Sequence, residues 1–420
     1  MADRQGAAHP LSGRRVVRAA FVLAMFGWGV GFYGPPVYLH AVIERTGWPL
    51  AWVSAALTVH FLCGALVIAQ LPRAHARFGV GATALGGALL ATIGVLGWAL
   101  CKQPWQLFVA ALASGGGWVT MGAVAVNAVI APWFVRTRPA ALSSAYNGAS
   151  VGGAVFSPLW VALIGAWGFA PAALAVGLVT IVMVGWLTRA VFSLRPQQPI
   201  DADAVPAAQA APDSPRLPGA LLWREARFRT LALGMAIGLF AQIGLLAHLL
   251  TLLVPLLGAQ AAGWLMGLAT ACAIGGRRVA AAATRPGVDR RTVAALGYAV
   301  QLAGTLLLGA ADEGRVVLIV LAIVLFGSGI GNATSLPPLI AQQEFERGDV
   351  PRVVALIVAI AQATYAFAPA LFGALLQATG TVRLGADAFA FLVAVAAAQA
   401  LAIACFALGR RAGAVLTVQA

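Results

Sequence analysis

Residues 133–160 read WFVRTRPAALSSAYNGASVGGAVFSPLW, and residues 344–371 read EFERGDVPRVVALIVAIAQATYAFAPAL. In each stretch a phenylalanine is followed 24 positions later by a proline. Phe134 and Phe345 are 211 positions apart, as are Pro158 and Pro369. A shared offset over such a distance is typical of an internal repeat. It predicts that the chain consists of two related halves.

The sequence around these stretches is predominantly apolar. Of the 420 residues, 61% are hydrophobic and 10% are charged, whereas an average globular chain carries about 25% charged residues. A helix that crosses a bilayer needs about 20 mainly apolar residues, and runs of this length exceed barrel strands. Twelve such runs are present: 17–39, 51–70, 80–100, 105–131, 141–163, 169–192, 228–251, 259–283, 292–310, 315–340, 352–377 and 385–408. The sequence therefore predicts an all-α membrane protein with twelve transmembrane helices.

A polar segment separates the first six runs from the last six. Residues 194–222 contain six prolines and three aspartates, a composition typical of a solvated linker. We therefore predict an N-terminal six-helix half at 1–193, a cytoplasmic linker at 194–226 and a C-terminal six-helix half at 227–420. In carriers built from two such parallel repeats, the substrate binds near the middle of the bilayer between the halves.

Basic residues are distributed unevenly between the two ends of the predicted helices. With the N-terminus in the cytoplasm, 23 of the 27 Lys and Arg residues fall on the cytoplasmic side. The positive-inside rule then predicts that both termini are cytoplasmic. We expect a multi-pass protein of a bacterial inner membrane. The net charge of +14 follows from this topology, so we expect lipid and not nucleic acid as the macromolecular partner.

The sequence gives little support for a cofactor, a metal site or an enzyme. Its four cysteines have no paired spacing. No Asp or Glu falls in the middle of a predicted span, so an acid/base pair within the membrane is missing. A membrane-embedded acyltransferase would be an alternative class, but the H-x-x-x-D pattern is absent. We expect no cofactor, no metal and no enzymatic activity.

The loop before the fifth run carries a motif that is similar to a family signature. Residues 133–153 resemble the signature of monocarboxylate transporters, a branch of the major facilitator superfamily related to oxalate/formate antiporters. Arg136 and Arg138 keep two of its three basic positions, whereas Asn147 is among the departures. The small residues in register are Ala141, Ala145, Gly148 and Gly152. A second superfamily motif keeps Arg77 and Gly79 in LPRAHARFG. The resemblance implies a gate at these loops.

The same resemblance implies a substrate site at Arg277. In monocarboxylate transporters an arginine on the eighth span, eight residues before the position of Arg285, pairs with the substrate carboxylate. A guanidinium offers a planar donor fork for a carboxylate. Alternatively, Arg277 and Arg278 mark the membrane boundary, because long side chains reach toward headgroups. Neighbouring helical residues point about 100° apart, so the two arginines do not face one cavity. The family's aspartate one turn earlier is replaced by Ala273.

Further polar side chains within the spans are candidates for the same site. For substrate binding we predict Tyr33, Gln242, Asn332, Gln362 and Tyr365. His60 and His248 are candidates for proton coupling, because histidine titrates near neutral pH. Packing is the alternative role of Tyr33, and hydrogen bonds between helices are the alternative for the others.

Together these features predict a secondary active transporter. The expected substrate is a small organic anion, a monocarboxylate, moved by alternating access with the proton as a candidate coupling ion. A monomer is expected. The alternative within the same fold is an exporter of a neutral or amphipathic compound.

Overall fold

The computed structural model describes residues 13–194, 219–285, 287–311, 314–378, 384 and 388–417. The regular elements in this part of the chain are helices: α1 (Gly13–Gly31), α2 (Pro35–Thr46), α3 (Leu50–Phe78), α4 (Val80–Leu100), α5 (Pro104–Trp118), α6 (Ala123–Ile130), α7 (Arg138–Trp167), α8 (Phe169–Leu187), α9 (Gly219–Arg224), α10 (Ala226–Leu257), α11 (Ala259–Ala283), α12 (Arg290–Gly309), α13 (Val316–Glu344), α14 (Val350–Ala366), α15 (Ala368–Ala378) and α16 (Phe389–Thr417).

Eleven helical segments in the described residues are long and apolar enough to cross a membrane. They coincide with eleven of the twelve predicted runs. The remaining run, 259–283, forms α11 with the predicted bounds, and at about 1.5 Å per residue it is long enough to cross. It carries Gln260, Arg277 and Arg278 and does not count among the eleven. The prediction of twelve spans therefore depends on α11.

Three predicted spans are interrupted, and in the eleventh Phe367 separates α14 from α15 two residues before Pro369. The first breaks between Gly31 and Pro35, because proline lacks an N–H group and clashes with the preceding turn. The fourth changes to a 3₁₀ turn at Val119–Met121 between α5 and α6. Most of the predicted linker, residues 195–218, lies outside the described residues. Near the predicted end of the linker, Gly219–Arg224 form the short helix α9.

Single glycines join some of the consecutive helices. Gly79 connects α3 to α4 with φ +83°, and Gly258 connects α10 to α11 with φ +77°. Glycine adopts positive φ without a steric penalty from a Cβ atom. Each connection is one residue long, and the second one sets where α11 begins.

The apolar core is shared between the halves at one end of the bundle only. The cluster at that end combines N-terminal residues such as Tyr38 with C-terminal residues such as Phe372. Toward the arginine-rich end, each half has a core of its own, around Trp133 in the first and around Phe228 in the second. The two halves therefore pack together at one end and have separate cores at the other.

Hydrogen bonds across the halves reinforce the shared end. The Ala51 N–H donates to Gln377 Oε1 at 2.8 Å, and the Ala370 N–H donates to Thr58 Oγ1 at 3.1 Å. Gly373 of α15 lies directly against Ser54 of α3, so a Cβ atom at position 373 would overlap it. This close approach of α3 and α15 closes one end of the space between the halves.

Candidate substrate site

Arg277 lies where α11 of the second half meets α7 of the first. Its Nη2 atom donates to Asn147 Oδ1 at 3.2 Å and to Ser150 Oγ at 2.8 Å. Gly331 on α13 makes room for it, because a Cβ atom there would lie 2.6 Å from Arg277 Cγ. The side chain is thus held at the junction of the halves by two neutral residues and a glycine.

The positive charge of Arg277 is not neutralised within the described residues. By contrast, Arg227, Arg291 and Arg410 pair with Glu225, Glu344 and Asp289. A guanidinium has five N–H donors, and both hydrogen bonds of Arg277 in the described part come from Nη2. Its remaining donors match the bidentate geometry of a carboxylate.

Arg278 differs from its neighbour in direction and surroundings. It is exposed, and Val279 next to it is 71% exposed. On α11 it points about 100° away from Arg277. Arg278 therefore lies on the outer face of α11, where an arginine in a membrane protein extends toward headgroups. Of the two arginines, Arg277 is the one that lies between the halves.

Tyr33 lines an apolar pocket that both halves build. The pocket has a volume of about 10 Å³, and its walls include Phe32, Tyr33 and Phe61 of the first half and Ile243, Leu246 and Met266 of the second. The Tyr33 ring lies beside Gly153 and Thr270, where α7 and α11 pack. Thr270 precedes Arg277 by seven residues on α11, about 10 Å along the helix axis. The pocket and the guanidinium therefore belong to one region.

Tyr365 and Gln362 lie on α14, at the edge of this region. Tyr365 is half-buried, and its ring contacts Phe61 edge-on with centroids 5.9 Å apart. Gln362 is half-buried one turn earlier. Both were predicted to bind substrate. The structure places Tyr365 behind a wall of the pocket, and a substrate role for either residue stays a prediction.

Gln242 and Asn332 lie elsewhere, inside the C-terminal half. Gln301 Nε2 donates to Gln242 Oε1 at 3.1 Å, and Asn332 Nδ2 donates to the Gly276 carbonyl at 3.4 Å. Gln301 and Asn332 lie close to Tyr298 in the same region. Sequence reasoning missed Gln301, although a glutamine within an apolar run was a visible signal. The predicted substrate roles of Gln242 and Asn332 are not tested by these contacts.

The two candidate histidines are fully buried. Both nitrogens of His60 are hydrogen-bonded, Nε2 to the Gly31 carbonyl and Nδ1 to Ser114 Oγ, each at 2.9 Å. A carbonyl only accepts, so Nε2 carries a proton, and in the neutral ring Nδ1 then accepts from the hydroxyl. His248 Nε2 contacts the Pro369 carbonyl at 3.0 Å. Both histidines thus connect neighbouring helices, and their role in proton coupling stays a prediction.

Removal of the His60 side chain is expected to affect stability. His60→Ala should lower the free energy of unfolding by roughly 2 kcal/mol, because two buried hydrogen bonds are lost. If the histidine only joins helices, uptake driven by a pH gradient should persist in proteoliposomes. The measurements are thermal unfolding and gradient-driven uptake. Loss of gradient-driven uptake with intact substrate exchange would instead identify His60 as a proton carrier.

The loop motifs have an evident packing role. Ala141, Ala145, Gly148 and Gly152 are buried on α7. A Cβ atom at Gly148 or Gly152 would collide with backbone carbonyls of α1, so the small residues of the signature allow close helix packing. Arg136 and Arg138 are exposed near the start of α7. Arg77 lies over the Phe78 ring at 5.2 Å, beside Gly79 at the end of α3.

Asn147 and Ser150, the partners of Arg277, were not predicted. Asn147 is visible in the sequence as a departure from the signature, which is a signal that sequence reasoning did not use. Ser150 gave no signal, because serine is common in helix contacts within membranes. Both lie on the face of α7 that meets α11, so only the packing of the two halves identifies them.

Comparisons with known proteins agree with this architecture. Residues 19–348 match the family model of the Major Facilitator Superfamily. The fold is similar to that of a mutant form of the nucleoside transporter NupG, with a TM-score of 0.71, 12% identity and coverage of 96% of this chain and 100% of that one. It is also similar to a bacterial homologue of the human lysosomal transporter Spinster, with a TM-score of 0.64, 14% identity and coverage of 96% and 95%.

No curated protein sequence matches the chain. At 12% and 14% identity, the two solved structures establish the fold alone. The family match covers most of the chain, including α11 and Arg277. The chain therefore belongs to the major facilitator superfamily and is a transporter that works by alternating access.

Proposed function

We propose that the protein carries a small organic anion, a monocarboxylate, whose carboxylate binds Arg277. The observation that carries this proposal is an arginine between the two halves whose charge has no carboxylate partner in the described residues. A charged residue within a membrane bundle faces a cavity or a partner. A substrate carboxylate supplies such a partner.

The position of Arg277 links anion binding to movement of the halves. Its present partners, Asn147 and Ser150, belong to the opposite half. A carboxylate that bonds to the free donors of Arg277 would add charge-assisted bonds at the same junction. Rocking of one half against the other changes the distance between α7 and α11. The substrate would therefore bind at a junction of helices whose distance changes during alternating access.

We propose α11 as the twelfth span and both termini as cytoplasmic, in a bacterial inner membrane. The halves are 1–193 and 227–420, and the chain acts as a monomer. The distribution of arginines supports this orientation. In this proposed orientation, the end of the bundle with separate cores faces the cytoplasm, as in an inward-facing carrier. The proton is the proposed coupling ion.

The orientation predicts which positions react from outside the cell. In a variant without native cysteines, a cysteine at Ser214, a position outside the described residues, should not react with an impermeant maleimide on intact cells. A cysteine at Lys102, which is exposed between α4 and α5, should react. Labelling in permeabilised cells is the control for Ser214. The opposite pattern would contradict the orientation.

The proposed function is tested by uptake into proteoliposomes. The panel consists of radiolabelled monocarboxylates, dicarboxylates and neutral compounds of similar size, with and without a pH gradient. Uptake of monocarboxylates that depends on Arg277 supports the proposal. Uptake of neutral compounds alone would support the alternative exporter, which the apolar walls of the Tyr33 pocket favour.

A further inference from the structure

Two helices of opposite halves, α3 and α15, meet along a regular stripe at the end of the bundle where the halves share a core. The stripe consists of Ala51, Ser54 and Thr58 on α3 and of Ala370, Gly373 and Gln377 on α15. Each set has the spacing i, i+3 and i+7, which places its members on one face of a helix. The first residue of each set contacts the last of the other, and the middle residues contact each other. The two helices therefore run antiparallel here, with three contacts in register.

The contact of Ala51 caps the start of α3. The first N–H groups of a helix have no acceptor within the helix, and Pro49 at the N-cap has no side-chain oxygen to accept from them. The Ala51 N–H donates at 2.8 Å to Gln377 Oε1, which belongs to the other half. Gln377 thus provides the side-chain cap that the residue before α3 cannot provide.

The contact of Ala370 caps the start of α15 in the reciprocal direction. Pro369 interrupts the span at Phe367, so the Ala370 N–H is among the first N–H groups of a new helix. Thr58 Oγ1 of the first half accepts from this N–H at 3.1 Å. Each half therefore provides one cap for a helix of the other half, and both caps are lost when the halves separate at this end.

Gly373 brings α15 close enough to α3 for both caps to form. It lies between the two caps and against Ser54, which is fully buried. A Cβ atom at position 373 would overlap the Ser54 side chain. Small residues allow helices in a membrane to approach each other closely, so a larger residue at position 373 would hold the donors and acceptors of both caps apart.

We propose that this stripe is a latch that holds the carrier closed at its outer end, and that the two reciprocal caps set the balance between its inward- and outward-facing states. Outward opening must separate α3 from α15, so it breaks both caps together. Loss of one helix cap shifts such an equilibrium about fivefold. The inference rests on the proposed orientation of the chain and is independent of the proposed anion.

The test measures how often the outer end opens. In a full-length variant without native cysteines, Ala247→Cys places a thiol at a buried position on α10, between the halves and near Leu57. A small impermeant thiol reagent added to intact cells should reach it only when the outer end is open. Thr58→Val and Gln377→Leu each remove one accepting oxygen and should each raise the labelling rate about fivefold. The double variant should raise it roughly 20-fold, because the caps lie about 10 Å apart along α3.

Two conservative variants are the matched controls. Thr58→Ser and Gln377→Glu keep an accepting oxygen at each position, so neither should raise the labelling rate by more than about twofold. Gly373→Ala keeps both accepting oxygens but separates the helices, and it should raise the rate as the cap variants do. The unfolding temperature of each variant is recorded. A cysteine at Lys102, which is exposed, is labelled in parallel to check the orientation.

The outcomes decide the latch without any substrate. Faster labelling in Thr58→Val and Gln377→Leu, with both conservative variants unchanged, supports it. An unchanged rate in the folded double variant would overturn it, and so would equal increases in the conservative variants, which would indicate general loosening of the bundle. If Thr58→Val does not fold, Gln377→Leu at its exposed position carries the test. Failure of the Lys102 cysteine to react from outside would overturn the orientation and, with it, the place of the latch.

Discussion

Arg277→Ala is expected to weaken carboxylate binding by roughly 30-fold or more, because truncation of one member of a buried charge pair costs about 2–5 kcal/mol. The fold should survive, since Arg277 makes only two hydrogen bonds to neutral residues, Asn147 and Ser150, in the described part of the chain. Arg277→Lys should restore part of the affinity, because an ammonium keeps the charge but not the planar fork. The measurement is equilibrium binding of a monocarboxylate to purified variants.

The neighbouring arginine provides a matched control. Arg278→Ala removes the same charge one residue away, on the exposed face of α11. Its effect on affinity should be less than about threefold, because exposed charges act through a screening solvent. The unfolding temperature of both variants separates binding from stability. Equal affinities of Arg277→Ala and the unaltered protein would contradict the proposed anion site. Both arginines would then be markers of the membrane boundary.

The helices could be predicted from the sequence because the bilayer imposes a simple requirement on length and polarity. Val80–Leu100 and Ala259–Ala283 have the predicted bounds, since a glycine precedes each run.

The site could be predicted only in part. Arg277 is conspicuous as a charge in an apolar run, but Asn147 and Ser150 become its partners through packing of two distant helices.

The orientation of polar side chains within a span was the least predictable feature. Gln242 lies on α10 next to Ile243, which lines the Tyr33 pocket, yet its side chain bonds to Gln301 on α12. One residue along a helix changes direction by about 100°, so the neighbouring helices decide which residue faces the space between the halves. That arrangement of neighbouring helices cannot be predicted from one sequence.

A buried ion pair holds three helix ends of the C-terminal half together. Arg291 is 1% exposed, and it donates to both carboxylate oxygens of Glu344, from Nε at 2.6 Å and from Nη2 at 2.7 Å. It also donates to Thr230 Oγ1 and to the Arg227 carbonyl. The pair thus joins α10, α12 and α13. At the offset of 211 the N-terminal half has apolar counterparts, Val80 for Arg291 and Trp133 for Glu344.

This contrast between the halves leads to a prediction about stability. Arg291→Ala should lower the free energy of unfolding by about 3–5 kcal/mol, because it leaves the largely buried Glu344 carboxylate without its partner. The double variant Arg291→Met with Glu344→Leu should recover most of the loss, since apolar residues of similar size often replace a buried pair without cost. Unfolding in mixed micelles measures both.

The exposed pair between Arg410 and Asp289 is the matched control for this prediction. Its side chains are 51% and 39% exposed, so Arg410→Ala should lower the free energy of unfolding by less than about 1 kcal/mol. If the double variant is as unstable as Arg291→Ala, the bonds from Arg291 to Thr230 and Arg227 hold the helix ends, and not the ion pair. Recovery in the double variant would mean that an apolar contact, as between the equivalent helix ends of the N-terminal half, performs the same structural role.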